Sequence, residues 1–143
     1  MHLNLMKNGF TLIEIMITLV IIGLLASMAY PSYITYITHI RRHAGQIELF
    51  NLANKLEEHY MRKRTYKTAD INLIQSIATQ WYTFNIVQQT TTTYLLQATP
   101  KNFQAINDIN CQSLTLNHQG KKNITNGPYG SPRWLAEQCW DIV

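Results

Sequence analysis

Gly9-Phe10-Thr11-Leu12-Ile13-Glu14 opens an apolar run of 21 residues, Phe10 to Tyr30, in which Glu14 carries the only charge. About 20 such residues are enough to span a bilayer as a helix. A charge at the centre of a spanning helix costs roughly 2.5–3.5 kcal/mol on insertion scales, and less near an end. An acid kept there needs a compensating partner. The partner this sequence can supply is an α-amino group, created by cutting the chain between Gly9 and Phe10. That amine would lie one helical turn from the Glu14 carboxylate.

The residues around the cut, Lys7-Asn8-Gly9 followed by Phe10-Thr11-Leu12-Ile13-Glu14, resemble the cleavage signature of type IV pilins and type II secretion pseudopilins. In that family a short basic leader ends in Gly, the mature chain starts with Phe, and its fifth residue is Glu. Gly23 and Pro31 stand where the family's first helix has Gly and Pro, and Pro31 is expected to kink the helix. The resemblance implies that a membrane prepilin peptidase cuts after Gly9 and methylates the new amine of Phe10. It implies that the mature chain waits in the inner membrane and is then drawn into a helical filament. Physical chemistry gives Glu14 a role in that step. In a monomer the Phe10 amine pairs with its own Glu14; in a filament Glu14 can pair with the amine of a neighbour. Breaking a desolvated pair costs about 3–5 kcal/mol, which would set axial register among otherwise featureless apolar helices.

Two other readings of the N-terminus compete. A secretory signal would use Ile15 to Ala26 as its apolar core and Ser27-Met28-Ala29 as its cleavage site. It leaves Glu14 unexplained and has only Lys7 for positive charge. A plain single-span anchor also fits the length. Composition agrees with one small exported domain on a membrane stalk. The chain has 143 residues, 46% hydrophobic and 14% charged, and about 110 residues beyond the apolar run suffice for one modest core. Cys111 and Cys139 are the only cysteines. In an exported domain an even pair reads as one disulfide, closing a loop of about 29 residues and contributing on the order of 3.5 kcal/mol in the loop-entropy model.

The helical pattern continues past Pro31. Ile34, Ile37, Ile40, Ala44 and Ile47 recur at spacings of three and four, and Leu49, Leu52, Ala53, Leu56 and Tyr60 carry the stripe toward Arg62. A helix from Phe10 to about Arg62 would measure on the order of 80 Å. Its first half is apolar all round and belongs in lipid or a filament core. Its second half is amphipathic, with Arg41, Arg42, Glu48, Lys55, Glu57 and Glu58 assigned to other faces. Trp81 to Val87, Tyr94 to Thr99 and Cys111 to Asn117 read as strands. Gln88 to Thr93 suits a hairpin loop, Tyr66 to Ala78 the helix-to-sheet connection, and Gly127 to Pro132 a cluster of turns. A short antiparallel sheet on the amphipathic half-helix buries both apolar faces.

Beyond the leader, Tyr60, Arg64-Thr65-Tyr66, Leu95 to Pro100, Cys111 to Asn117, Gly120-Lys121 and Cys139-Trp140 resemble the PilE-like type IVa minor pilins. These have a C-terminal region bounded by a disulfide, which favours a pilin over the major pseudopilin of type II secretion. The resemblance implies an α+β fold, the type IV pilin fold, in which the apolar half-helix is transmembrane and the amphipathic half packs on a small antiparallel sheet. The implied domains are a leader at 1–9, a transmembrane or filament-core half-helix at 10–37, and a globular head at 38–143 with the disulfide loop 111–139.

Other constellations carry less. His39 and His43 stand at a metal-compatible spacing, but no third ligand lies nearby, so His39-Ile40-Arg41-Arg42-His43 reads as facing solvent or lipid headgroups. Lys55, Arg62, Lys63, Arg64 and Lys67 suit the C-terminal end of a helix. Their functional alternative is phosphate contact, since some minor pilins act in DNA uptake, with Trp81, Tyr82, Trp134 and Trp140 as stacking platforms. A net charge of +4 over 143 residues predicts that any DNA affinity is low and electrostatic. No P-loop, GxSxG or HExxH occurs and the eight acids are scattered, so neither catalysis nor a cofactor is expected. Asn123-Ile124-Thr125 fits a glycosylation sequon by accident.

The sequence therefore points to a minor subunit of a type IV pilus, serving adhesion, twitching motility or DNA uptake. The alternatives are a secretion pseudopilin and a competence pilin whose head binds DNA or a surface. Expected partners are other pilin subunits, the peptidase/methyltransferase and the inner-membrane assembly machinery. The expected location is the inner membrane, then an extracellular pilus or a periplasmic pseudopilus.

Overall fold

Unbroken helical periodicity from the apolar run into the amphipathic stretch produces one long element in the computed structural model, α1, Leu12–Lys63. The structure describes residues 9–69, 77–125 and 133–140. Lys7 and Asn8 of the leader, the connection at 70–76 and the turn cluster at 127–132 lie outside the described residues. The chain divides into two compact units, 1–35 and 36–143, with the division falling inside α1.

In the first unit, α1 begins with a capping box. Thr11 precedes the first helical residue, and its hydroxyl accepts from the Glu14 N–H at 3.3 Å. The Glu14 carboxylate accepts in return from the Thr11 N–H at 2.8 Å and the Thr11 hydroxyl at 2.9 Å. Orphan donors at the helix start are thereby satisfied within one turn. The side chains that follow are exposed all round, Leu12, Ile13, Met16, Leu19, Ile22 and Leu25 among them. This helix is long and apolar enough to cross a membrane. Pro31 sits inside it, and the Thr35 hydroxyl donates to the Pro31 carbonyl at 3.1 Å.

The second unit is a head in which residues 36–63 of α1 lie on a four-stranded sheet. The strands are β1, Tyr82–Gln89; β2, Tyr94–Pro100; β3, Ser113–Asn117; and β4, Lys122–Thr125. They pair antiparallel in sequence order, β1-β2-β3-β4. Alternation sends Tyr94, Leu96 and Ala98 of β2 inward, and register places Leu96 opposite Leu116 and Ala98 opposite Leu114. Ile124 of β4 then faces Leu114. These residues close a core with Leu49, Leu52 and Leu56 of α1 and Tyr82 of β1. A register shift between Ile86 and Gln88 marks a bulge in β1. Two short helices flank the sheet, α2, Asn102–Asn107, and α3, Arg133–Trp140.

The three expected strands are present, each moved by one or two residues, and the loop between the first two is a tight turn. Its backbone bond runs from the Thr90 N–H to the Thr93 carbonyl at 2.9 Å. β4, α2 and α3 were not foreseen. The buried face of α1 also differs from the apolar stripe at its start. Ile40 and Ile47 are exposed, whereas Thr38, Arg42, Gly45 and Gln46 face inward ahead of Leu49, Leu52 and Leu56. Arg42 and Glu48, assigned by the sequence to outer faces, are both buried. Hydrophobic periodicity misses a buried polar face when that face finds hydrogen-bond partners elsewhere in the fold.

Candidate assembly and nucleic-acid surfaces

At the N-terminus, Gly9 and Phe10 are exposed and precede the helix, Phe10 by 85% of its surface. Glu14 is held by Thr11 as described, so its carboxylate already has a structural duty before any amine approaches it. The sequence contained that signal, Thr11-x-x-Glu14, which is a capping-box spacing. Its reading as an intramembrane charge concealed it. Gly23 has open space where a Cβ would stand, so no packing contact in the first unit explains a glycine there.

In the head, a buried polar network fastens α2 to α1. Arg42 donates twice to Asp108, Nη2 to Oδ1 at 2.6 Å and Nε to Oδ2 at 2.9 Å. The Tyr82 hydroxyl donates to the same carboxylate at 3.3 Å. Gln104 Nε2 lies 3.0 Å from the Thr38 carbonyl, the Tyr82 hydroxyl and Asp108 Oδ2. Burial, together with the Asp108 charge, holds the Tyr82 phenol well above its usual range. Arg42 therefore serves the interior, not solvent or headgroups. A pair of this kind gives little net stability compared with an apolar substitute, but losing one partner strands a buried charge. His43, one residue on, has Nδ1 3.1 Å from Gln46 Oε1. No group of histidine, cysteine and acidic side chains suited to a metal occurs among the described residues.

Gln46 Nε2 donates to the Cys139 carbonyl at 2.7 Å. Cys139 is joined to Cys111 in the expected disulfide, with Cα atoms 5.5 Å apart. The Trp140 indole N–H donates to the Asn123 carbonyl at 2.9 Å. Those three ties seat α3 against α1 and β4.

At the C-terminal end of α1, the Tyr66 hydroxyl donates to Glu57, and its ring stacks on Tyr60 at 4.5 Å and meets Tyr94 edge-on at 4.9 Å. Burial, then the Glu57 carboxylate, push the Tyr66 phenol up to about 12. Tyr66 and Tyr94 thus belong to the core, with Tyr60 packed against it. Of that basic cluster, Arg62 is paired with Glu58 at 3.2 Å on the surface, while Lys63, Arg64 and Lys67 are exposed.

Two basic groups, however, lie against aromatic rings. The Arg41 guanidinium is 5.4 Å from the Trp81 centroid and 4.9 Å from the Phe103 centroid. The Lys122 ammonium is 5.4 Å from Phe50 and 5.7 Å from Trp140. Trp81 and Trp140 were candidates for stacking platforms, and the fold brings each to a cation. Trp140 itself is buried. The side chain of Trp134 lies outside the described residues.

A long helix with an apolar, exposed first half and a small antiparallel sheet on its second half defines a type IV pilin. The structure resembles that of the non-core minor pilin PilV of Neisseria meningitidis, with a TM-score of 0.54 at 24% identity. The match covers 68% of this chain and 96% of that one. It also resembles a type IV pilin of Shewanella oneidensis, with a TM-score of 0.52 at 25% identity over 73% of this chain and 99% of the other. Residues 4–30 match the prokaryotic N-terminal methylation motif. Residues 31–115 match the family model described as type IV minor pilin ComP, DNA uptake sequence receptor. That span is more than half of the chain, and the protein belongs to this family of type IV minor pilins. A search of curated proteins by sequence finds no match.

Proposed function

We propose that the mature chain is a minor subunit of a type IV pilus whose head binds DNA during uptake. The observation that carries this reading is the match of residues 31–115 to a family described as a DNA uptake sequence receptor. It moves DNA ahead of the purely structural role that the mild net charge favours. Exposed Lys63, Arg64, Lys67, Lys121 and Lys122 supply positive surface, and both cation–aromatic clusters are of the kind that pack against sugar and phosphate.

Delivery to the pilus rests on the N-terminal segment. The prepilin peptidase cuts after Gly9 and methylates Phe10, the helix at 10–37 holds the chain in the inner membrane, and Glu14 pairs with a neighbour's amine on assembly. Gly23 and Pro31 allow the helix to bend as it leaves the bilayer. The pilus reading is preferred to a secretion pseudopilus because the disulfide bounds the C-terminal part of the head.

The test is duplex binding by the detergent-solubilised full chain at about 50 and about 200 mM salt. Binding to at least one duplex at the higher salt, together with loss of DNA uptake on deletion while pili persist, supports the receptor. Deletion that abolishes secretion of a folded substrate and leaves pili and uptake intact supports the pseudopilin instead.

A further inference from the structure

The three residues of the Arg41 cluster are each set in place through buried or hydrogen-bonded neighbours. Arg41 lies in the α1 turn between Thr38 and Arg42, the two residues that tie it to Gln104 and Asp108, and Arg42 is only 8% exposed. Phe103 precedes Gln104, which is fully buried and anchored to Thr38 and Tyr82. Trp81 is held by its backbone on both sides, its N–H donating to the Ala78 carbonyl at 3.0 Å and its carbonyl accepting from the Lys101 N–H at 2.9 Å. Asn102 takes a positive φ of 53° immediately before Phe103, a conformation that asparagine tolerates better than most residues. The Arg42–Asp108 clamp therefore also aims Arg41 and Phe103.

The chemistry of the cluster is specific. A guanidinium has five N–H donors, and contact with two rings leaves donors over for an acceptor. Among the described residues no carboxylate pairs with Arg41, and the acid bonded to the next residue, Asp108, is consumed by Arg42. Phe103 remains 40% exposed and Trp81 is half-buried, so apolar ring surface flanks the fork. A planar guanidinium beside partly exposed rings matches a phosphodiester and its deoxyribose, with bidentate N–H donation to two phosphate oxygens. Arg41, Trp81, Lys101 and Phe103 all fall within the matched span 31–115, whereas Lys122 and Trp140 fall outside it.

We infer that Arg41, Trp81 and Phe103 form a phosphodiester-binding subsite for duplex DNA, an inference that rests on the DNA-uptake reading and names where the head grips the backbone. One phosphate contact of this kind adds about one counterion to the salt dependence. A preorganised fork has lost its conformational freedom before binding, which is why it outweighs a free surface lysine.

The experiment is fluorescence anisotropy of a labelled mixed-sequence duplex with the full chain in neutral detergent micelles, titrated across salt. Arg41→Gln should weaken binding about tenfold and lower the slope of log K against log salt by about one. Arg41→Lys should keep the slope and still lose several-fold in affinity, because the charge stays and the fork is gone. Arg64→Gln, on the exposed helix end, should change affinity less than either. Thermal melting of each variant separates loss of the subsite from loss of the fold. If Arg41→Gln proves unstable, Arg41→Lys and Phe103→Leu decide, and full affinity in both overturns the subsite. Wild-type binding with an unchanged slope in Arg41→Gln overturns the subsite while leaving the DNA reading intact. Failure of the wild type to bind any duplex overturns both. Flotation with phosphatidylglycerol vesicles that depends on Arg41, beside DNA binding that does not, reassigns the cluster to lipid headgroups.

Discussion

Glu14 shows how one residue can satisfy two demands, and how to separate them. Its carboxylate caps the helix by accepting from Thr11, and it is also the charge proposed to pair with a neighbour's amine. Loss of a capping interaction costs about 1 kcal/mol at a helix end, whereas loss of a buried pair costs about 3–5 kcal/mol. Glu14→Val removes both, while Glu14→Gln keeps a capping-box side chain and removes only the charge. We expect both variants to insert in the membrane and both to enter pili poorly, as read by immunoblot of sheared filaments. Normal incorporation of Glu14→Gln beside failure of Glu14→Val would assign the residue to helix capping alone. Gly45 offers a second test at this scale. A Cβ there would lie 3.0 Å from Cδ2 of Tyr82, and that ring cannot retreat, because it is fully buried with its hydroxyl held by Asp108 and Gln104. Alanine brings about 1 kcal/mol of helix propensity, and overpacking costs typically 1–3 kcal/mol. Gly45→Ala should therefore lower head stability, by about 1 kcal/mol in chemical denaturation, and a gain would show that the ring moves. Neither the polar inward face around Gly45 nor the glycine's purpose was legible in the sequence, since nothing local announces an aromatic ring from a strand 37 residues away.

At the scale of elements, legibility followed length and pattern. The 52 residues of α1 and the alternating runs of β1 and β2 carried strong periodic signals. β4 has four residues, α2 six and α3 eight, too few for a period to register, and each is held by contacts distant in sequence. α3 is the extreme case. It depends on the disulfide, the Gln46 bond to the Cys139 carbonyl and the Trp140 bond to Asn123. In the loop-entropy account, a bridge closing about 29 residues contributes on the order of 3.5 kcal/mol. Cys111→Ser should remove most of that and release the C-terminal segment, giving protease cleavage after about residue 110 while α1 and β1–β2 persist. Both cysteines should resist alkylation until reduced. Rapid alkylation of the exported protein, or a protease-resistant Cys111→Ser chain, would show that α3 stays seated without the bridge.

For the molecule as a whole, the two units make opposite demands. Residues 36–143 bury their own core, whereas the apolar side chains from Phe10 to Tyr30 are exposed and find no covering among the described residues. Burying one such side chain is worth roughly 1.5–3 kcal/mol, so the segment must sit in lipid or against other apolar helices. The match of residues 4–30 to the N-terminal methylation motif fits a segment that is processed before assembly. In the maturation proposed above, Glu14 has no amine to meet while the leader is attached. Cleavage after Gly9, as proposed, would create the cation next to that acid and free the helix to leave the bilayer. The mature protein recovered from pili should therefore begin at Phe10 and carry one extra methyl group by intact mass. Gly9→Leu places a bulky side chain at the cut, and should leave full-length, unmethylated protein in the inner membrane and none in pili. A mature mass starting at Tyr30 would mean that the apolar run is a discarded secretory signal, and the filament role would fall with it.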